Sequence, residues 1–279
     1  MNVSRYLRRK WTNRIALSVT TLAMALGIGA LLWILWTLFS RGLTALTPTV
    51  FTVSTPPPGS DGGLANAIVG SLLMVSAALA VVAPVGILAG ICLAEFGRSS
   101  KFADAVRFIN DVLLSAPSIV IGLFIYAAIV ATTRSFSGWA GAAALAVIAL
   151  PVIVRTTENM LALVPGGLRE AAYALGAPKW KVITFVTLRA ARNGVLTGVL
   201  LALARIAGET APLLFTALNS QFFSTDMSEP MANLPVVIFQ FAMSPYEDWQ
   251  QLAWAGALLI TLSVLLINIV ARYALGKRG

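Results

Sequence analysis

The sequence has no histidine, one cysteine (Cys92) and few charges, and each of these shortages excludes a class of protein. A single cysteine cannot form a disulfide framework, and a Cys/His site for zinc or haem has no set of ligands. No G-x-x-x-x-G-K-S/T phosphate-binding loop and no nucleophile with a neighbouring base occur in the chain. We therefore expect no catalytic residue, no metal and no cofactor in this chain.

The low charge content indicates a membrane protein. Charged residues make up 11% of the chain and hydrophobic residues 58%, with a mean hydropathy of +0.85, whereas soluble domains carry about 25% charged residues. The apolar segments follow one another almost end to end and leave no room for a separate soluble domain. We predict an all-α, polytopic membrane protein that forms a single transmembrane domain over residues 1–279.

Six apolar runs are long enough to cross a hydrocarbon core, which takes about 20 residues. They are Ile15–Phe39, Ala67–Leu93, Val112–Thr133, Gly138–Val154, Val195–Leu218 and Leu252–Leu275. The first run follows a basic stretch, but at about 25 residues it is longer than the 7–15-residue apolar core of a signal peptide. We expect it to be an uncleaved membrane anchor.

The basic residues collect on alternate connectors between these runs. All of the 20 Lys and Arg residues except Arg41, Arg134 and Arg205 lie near the two chain ends or on the connectors after the second and fourth runs. Basic residues near membrane-spanning ends are retained in the cytoplasm, so both termini are predicted to be cytoplasmic. The net charge of +9 then reflects topology, and no nucleic-acid partner is needed to explain it.

Two connectors on the opposite, outer side are long. Residues 40–66 contain "STPPPGSDGG", whose prolines and glycines predict an irregular loop at the membrane surface. Residues 219–250 contain "NLPVVIFQFAM", an apolar run of about 10–14 residues that is too short to span the bilayer. This run is either a re-entrant or interfacial segment that acts as a lid, or an amphipathic helix that lies on the surface without a gating role.

The largest connector predicted to be cytoplasmic, residues 155–192, contains a short helix. Strong helix formers occupy Leu168–Leu175, and Gly176 follows as a typical helix stop. An exposed apolar edge on this helix fits either a partner protein or the bilayer surface, where two nearby lysines would meet anionic headgroups. The residues that share this edge, at spacings of four and three, are Leu168, Ala172 and Leu175.

The fifth run places two charges near its middle, in the segment "LARIAGETAPLLF" at residues 203–215. An ionised side chain at the bilayer centre costs roughly 2.5–3.5 kcal/mol on insertion scales, so Arg205 and Glu209 need a polar setting. Their spacing of four places them on one helical face, where each partly neutralises the other. They form either a buried ion pair that fixes helix packing or a functional site. Gly208 and Pro212 predict a kink beside them.

The short helix in the cytoplasmic connector resembles the EAA loop of bacterial ABC importer permeases. Glu170, Ala171 and Ala172, with Gly176 four residues later, match the family pattern, while Arg189 stands where the family has proline. In this family the loop docks on a separate ATPase subunit, which uses ATP and Mg. The resemblance implies the type I ABC importer permease fold. The residues to which it assigns docking are Arg169, Glu170, Ala171, Ala172, Leu175 and Gly176.

A narrower resemblance covers most of the chain. "RIAGETAPLLF", "SAPSIVIGLF" at Ser115–Phe124, the six runs and the long last outer connector are together similar to membrane subunits of high-affinity phosphate ABC importers. This resemblance implies a complex in the bacterial inner membrane. Its expected members are a PstC-like second permease, two copies of a PstB-like ATPase and an exported PstS-like phosphate-binding protein, with membrane lipid around them.

Arg205, Glu209 and Thr210 are the predicted substrate-binding residues. Arginine suits phosphate because its planar guanidinium donates two parallel hydrogen bonds and stays ionised when partly desolvated. Glu209 has two alternative roles: it holds the guanidinium in position, or it accepts the proton that hydrogen phosphate carries and sulfate lacks at neutral pH. The second role would favour phosphate over sulfate, because bound sulfate has no proton to donate to the carboxylate in a hydrogen bond.

Three other functions compete with that of an ATP-driven phosphate permease. A secondary anion transporter would use Arg205 and Glu209 as a proton relay and would work without nucleotide. An ABC permease could instead carry another oxyanion. An integral membrane enzyme could act on lipid phosphate, although the missing acid and base groups disfavour it.

Overall fold

The computed structural model describes residues 3–97 and 100–276, and most of these residues are helical. The main helices are α1 (Val3–Ala45), α2 (Ala65–Phe96), α3 (Lys101–Ser115), α4 (Ser118–Thr133), α5 (Gly138–Ala162), α6 (Gly166–Ala174), α7 (Lys179–Ala207), α8 (Ala211–Thr216), α9 (Leu234–Ala242) and α10 (Glu247–Gly276). No strand occurs within the described residues, so the all-α prediction is confirmed. Three basic residues that the topology prediction uses, Arg98, Lys277 and Arg278, lie outside them.

Five helices are long and apolar enough to span a membrane, and a sixth span results when α3 and α4 are taken together. This agrees with the predicted six-span layout, but several boundaries differ. The first predicted run starts at Ile15, whereas α1 starts at Val3. The fourth predicted run stops at Val154, whereas α5 continues to Ala162. The fifth was predicted to start at Val195, whereas α7 starts at Lys179. Hydropathy excludes the charged residues at these helix ends, yet their long apolar stems allow them to stay helical.

The third predicted span, Val112–Thr133, is wrong as a continuous helix. α3 ends at Ser115 and α4 starts at Ser118, and the two helices are bent by 105°. Pro117 explains the break, because proline has no N–H to donate and disfavours the helical region for the residue before it. Ala116 is accordingly extended, with φ −67° and ψ 134°.

α5 is the central helix of the bundle: 67% of its apolar window is buried, against 6% for α1. α2 and α7 both pack against α5, each through a pair of glycines four residues apart, Gly86 and Gly90 on α2 and Gly194 and Gly198 on α7. A Cβ atom built on Gly90 would lie 2.6 Å from the Cβ of Thr157 on α5, so a larger residue would push the helices apart. Small residues at this spacing let membrane helices approach closely.

One end of the bundle, which we call the inner end, is defined by Phe96, Ala162 and Lys179. The Lys179 ammonium lies 3.8 Å from the centre of the Phe96 ring and donates to the backbone oxygen of Glu95 at 3.3 Å. The ends of α2 and α5 and the start of α7 therefore meet there. The charge pattern predicts that this end is cytoplasmic.

The two long connectors at the opposite end are ordered by polar side chains. The loop predicted over residues 40–66 is helical as far as Ala45 and irregular after Val53, and the Asn66 amide donates to the Thr55 hydroxyl at 2.8 Å and to the Ser220 carbonyl at 2.8 Å. The connector over residues 219–250 contains α9. Its apolar residues Leu234, Val236 and Val237 are buried, which favours an embedded segment over a helix lying on the surface. A lid function of α9 stays a prediction.

Candidate functional site

The predicted kink beside the membrane-embedded charges is a complete break. α7 ends at Ala207, residues 208–210 are non-helical, and α8 begins at Ala211. Pro212 explains the break, because it lacks a donor and its ring would clash with the carbonyl of the residue four positions earlier, Gly208. Non-helical backbone at membrane depth is tolerated where it is buried in protein or lines a water-filled cavity.

Arg205 and Glu209 face each other across this break, but they form a loose pair. The Arg205 Nε atom lies 3.9 Å from the Glu209 Oε1 atom, beyond hydrogen-bonding distance, and the two side chains are 34% and 16% exposed. Neither side chain makes a hydrogen bond to another described residue. Thr210 follows directly and is half-buried. The structure therefore brings the three predicted substrate-binding residues together and leaves the guanidinium donors of Arg205 free.

The two sequence motifs behind the narrower resemblance also meet. Gly122, in "SAPSIVIGLF" on α4, packs against Pro212, in "RIAGETAPLLF": a Cβ atom built on Gly122 would lie 2.6 Å from the Pro212 Cα atom. Each motif contains a helix break, at Pro117 in the first and after Ala207 in the second. Two broken helices therefore pack on each other next to the charged pair.

A groove of about 560 Å³ lies on another side of α7, between this helix and α10. Ala204 and Gly208 border it, and the remaining lining is Ile260, Thr261, Val264, Leu265, Asn268 and Ile269. This lining is mostly aliphatic and carries no charge. The groove is therefore poorly suited to an oxyanion, and the chemistry for one lies with Arg205.

The predicted docking helix is present as α6, which begins two residues before the predicted start, at Gly166. Glu170 and Ala171 are exposed, Ala172 is half-buried and the Leu175 side chain is 88% exposed. Gly176 ends the helix with a left-handed φ of +79°, a conformation that glycine adopts without strain. The exposed apolar edge predicted from the spacing is therefore confirmed at Leu168 and Leu175.

Arg169 differs from the other predicted docking residues because it is buried. Its guanidinium donates to the Glu95 carboxylate on α2 at 3.0 and 3.2 Å. It also donates to the backbone oxygens of Val164 at 2.7 Å and Leu161 at 2.8 Å, at the end of α5. Arg169 thus joins α6 to both α2 and α5. We call this contact the Arg169 clamp.

One further charged network and one further charged pair at the inner half of the bundle were not predicted. Arg107 on α3 donates to Glu158 on α5 at 2.7 Å and to Asp104 at 2.8 Å, and it reaches the backbone oxygens of Leu93 and Gly97. We call this the Arg107 clamp. Arg155 on α5 lies 3.8 Å from Asp111 on α3, without a hydrogen bond between them. The signal that could have revealed these pairs is the set of carboxylates beside otherwise basic connectors: Glu95, Asp104, Asp111 and Glu158.

Comparisons with known proteins bear on the whole chain. Residues 84–276 match the family of binding-protein-dependent transport system inner membrane components. The chain is 58% identical over 271 residues to the phosphate transport system permease protein PstA of Yersinia pestis, covering 97% of this chain and 92% of that protein. It is 60% identical over 264 residues to the protein of the same name from Pasteurella multocida (strain Pm70), covering 95% and 94%.

A solved structure is similar in fold. It is a chain of the MetNI methionine ABC transporter in an inward-facing conformation, with a TM-score of 0.59, 20% sequence identity, and coverage of 76% of this chain and 92% of that chain. At this identity the likeness concerns the fold alone. It confirms the permease fold that the resemblance to type I ABC importers implied.

Proposed function

Because the chain belongs to the family of binding-protein-dependent transport system inner membrane components, we infer that it is a membrane permease subunit of an ATP-driven importer of inorganic phosphate. Relatives named as phosphate transport permeases match it over nearly the whole length. The chain is a multi-pass inner-membrane transport subunit and not an enzyme. A secondary transporter, a permease for another oxyanion and a lipid-modifying enzyme are not favoured by these relatives.

Arg205 is the residue that we propose to bind phosphate within the membrane. The observation that carries this proposal is its loose pairing. The guanidinium lies at a helix break, is one third exposed and is 3.9 Å from its one ion-pair partner among the described residues, so its N–H donors are available to an anion. An arginine that merely fixed packing would be expected to satisfy those donors internally, because a buried charge is costly unless it is hydrogen-bonded. Charges inside a membrane span are functional candidates by default.

Glu209 and Thr210 complete the proposed site. Glu209 is less exposed than Arg205 and sits on the non-helical backbone, where its carboxylate can accept the proton of hydrogen phosphate. The Thr210 hydroxyl offers a neutral donor and acceptor beside it. Two opposite charges and a hydroxyl together match an anion that both accepts and donates hydrogen bonds.

Phosphate uptake by two variants tests this site. Arg205→Gln removes the charge and the bidentate fork, so uptake of labelled phosphate by the assembled importer should be lost. Arg205→Met combined with Glu209→Leu removes both charges, and replacing a buried ion pair by apolar residues is often neutral for stability. The double variant should therefore assemble normally and still fail to transport. Near-normal uptake per assembled complex in the double variant would retire the substrate-site proposal.

The importer contains further subunits, and we propose their kinds from the same resemblance. A PstC-like permease would form the other half of the pathway, and a PstS-like exported protein would deliver phosphate. Two copies of a PstB-like ATPase would use ATP and Mg, and one of them would dock on the exposed side of α6, which presents Glu170, Ala171, Leu175 and Gly176. Purification of the tagged chain with identification of the co-eluting subunits tests these partners.

We also propose that both termini and α6 lie in the cytoplasm. The basic residues on the inner-end connectors support this orientation. A reporter that is active only outside the cytoplasm should work when fused near Asp226 and fail when fused near Lys179. The opposite pattern would reverse the orientation and remove the basis for ATPase docking on α6.

A further inference from the structure

A second loosely paired arginine lies on the inner half of α5. Arg155 is seven residues from the end of this helix, and its Nη1 atom is 3.8 Å from the Oδ1 atom of Asp111 on α3. The two side chains are 42% and 52% exposed. Within the described part of the chain the Arg155 side chain makes no hydrogen bond. Its geometry therefore matches that of Arg205 and Glu209, with even greater exposure.

The packing of α5 on α7 shows how the two arginines are placed along the bundle. Gly198 on α7 contacts Thr156, the residue after Arg155. Arg205 is seven residues beyond Gly198, which is two helical turns on the same side of α7. At a rise of 1.5 Å per residue, Arg205 therefore lies about 10 Å farther from the inner end than the level of Arg155.

We propose that Arg155 is a second oxyanion contact, which receives phosphate on the cytoplasmic side of Arg205, and that Asp111 holds its guanidinium loosely until the anion replaces the carboxylate. This inference rests on the proposed phosphate site at Arg205. A conduction path needs sites that bind firmly enough to admit an ion and weakly enough to release it. A second cation about 10 Å from the level of the first along the bundle, partly neutralised by its own carboxylate, meets both needs.

A purely structural role explains this pair less well. The Arg107 clamp already joins α3 to α5 through a hydrogen bond of 2.7 Å to Glu158, while its bond of 2.8 Å to Asp104 lies within α3. The Arg155 pair adds no hydrogen bond to that connection, and exposed ion pairs contribute little to stability. What it does add is a guanidinium without a hydrogen bond among the described residues, on the same helix that α7 packs against.

Single and double variants of the pair distinguish the two roles. Arg155→Gln should lower uptake of labelled phosphate per assembled importer by roughly tenfold, the effect of losing a charge-assisted hydrogen bond to the anion. Asp111→Asn should raise uptake at limiting phosphate, because the carboxylate that competes with the anion is gone. The double variant should transport as poorly as Arg155→Gln. If Arg155→Gln impairs assembly, Arg155→Lys keeps the ion pair and should assemble fully but transport less.

Three results would overturn this proposal. Equal losses in Arg155→Gln and Asp111→Asn would indicate a structural pair, as would recovery of uptake in the double variant. Normal uptake by Arg155→Gln and Arg155→Lys would show that Arg155 does not contact the anion. Arg205→Gln, assayed in parallel, serves as the control that distinguishes failure of the Arg155 contact from failure of the proposed phosphate site at Arg205. Loss of uptake in Arg205→Gln with normal uptake in Arg155→Gln would refute only the second contact.

Discussion

The four arginines that pair with carboxylates in the described part of the chain fall into two kinds, and the difference separates the part that holds the bundle from the part that we propose binds the anion. In the Arg169 and Arg107 clamps, each guanidinium donates to a carboxylate at 3.2 Å or less and to backbone oxygens as well. Arg205 and Arg155 instead lie 3.9 and 3.8 Å from one carboxylate. A guanidinium that makes four hydrogen bonds within the protein is a structural connection, whereas a guanidinium that makes none has donors available for a ligand.

Position along the bundle agrees with this division. Both clamps join helix ends at the inner end, where α6 presents its exposed edge to a partner. The loose pairs lie on helices that also pack closely against each other, through Gly198 and Thr156. Movement of α6 would therefore reach α2 and α5 through Arg169, and α5 carries Arg155 directly.

The largest effect is expected when the Arg169 clamp is opened. Arg169→Ala leaves the Glu95 carboxylate buried without a partner, and breaking a buried pair from one side costs about 3–5 kcal/mol in the free energy of unfolding. The thermal denaturation midpoint of the purified importer should fall, and less assembled complex should be recovered.

A matched variant checks the cause. Arg169→Met combined with Glu95→Leu removes both charges, so much of the lost denaturation midpoint should be recovered, with a remaining deficit because the Val164 carbonyl loses the donor that Arg169 supplies. A midpoint for Arg169→Ala equal to that of the unmodified importer would mean that the clamp does not hold α6.

The division between clamps and loose pairs could be predicted only in part from the sequence. The break beside Arg205 was predictable because Gly208 and Pro212 weaken a helix by local chemistry. The burial of Arg169 was not, since the motif that contains it gives no sign of which side faces the protein. Arg155 was assigned to a connector because a hydropathy run stops at the first charges, although a helix continues through charges that find partners.

Hydropathy also missed the bend at Pro117. The residues immediately before and after it in the predicted span are mostly apolar. Hydropathy measures how well a segment dissolves in lipid, and it does not show whether the helix is continuous. The close approach of α2 and α7 to α5 was likewise not recognised, although its sequence signal, two glycines four residues apart, is present on both helices.

The next largest effect is expected on the exposed side of the clamped helix. Gly176 has a φ of +79°, and no atom lies within 4 Å of a Cβ built on it. Gly176→Ala and Gly176→Trp therefore share the same backbone strain and differ only in the bulk that they present outside the chain. Gly176→Trp should lose the co-purifying ATPase and phosphate uptake, while Gly176→Ala should keep most of both. Equal behaviour of the two variants would argue against docking at this surface.

A smaller effect, but a sharper contrast, is expected when arginine is replaced by lysine in each kind of pair. Arg205→Lys keeps the charge but not the planar fork, so uptake should fall by roughly tenfold or more while the denaturation midpoint stays unchanged. Arg107→Lys cannot reproduce the contacts to Glu158, Asp104 and two carbonyls, so the midpoint itself should fall. If both substitutions lower only uptake, or both lower the denaturation midpoint, the division between clamps and loose pairs is wrong.

The smallest and most selective effect is expected at Glu209. If its carboxylate accepts the proton of hydrogen phosphate, sulfate would leave that carboxylate facing an anion without a donor. Glu209→Gln supplies an amide that can donate to either anion, so competition by sulfate for phosphate uptake should become stronger. Glu209→Asp keeps the carboxylate on a shorter stem and serves as the control, with reduced uptake but preserved preference. If Glu209 only positions Arg205, uptake of both anions should instead fall together in Glu209→Gln, and the ratio of phosphate to sulfate uptake, normalised to assembled importer, would stay constant.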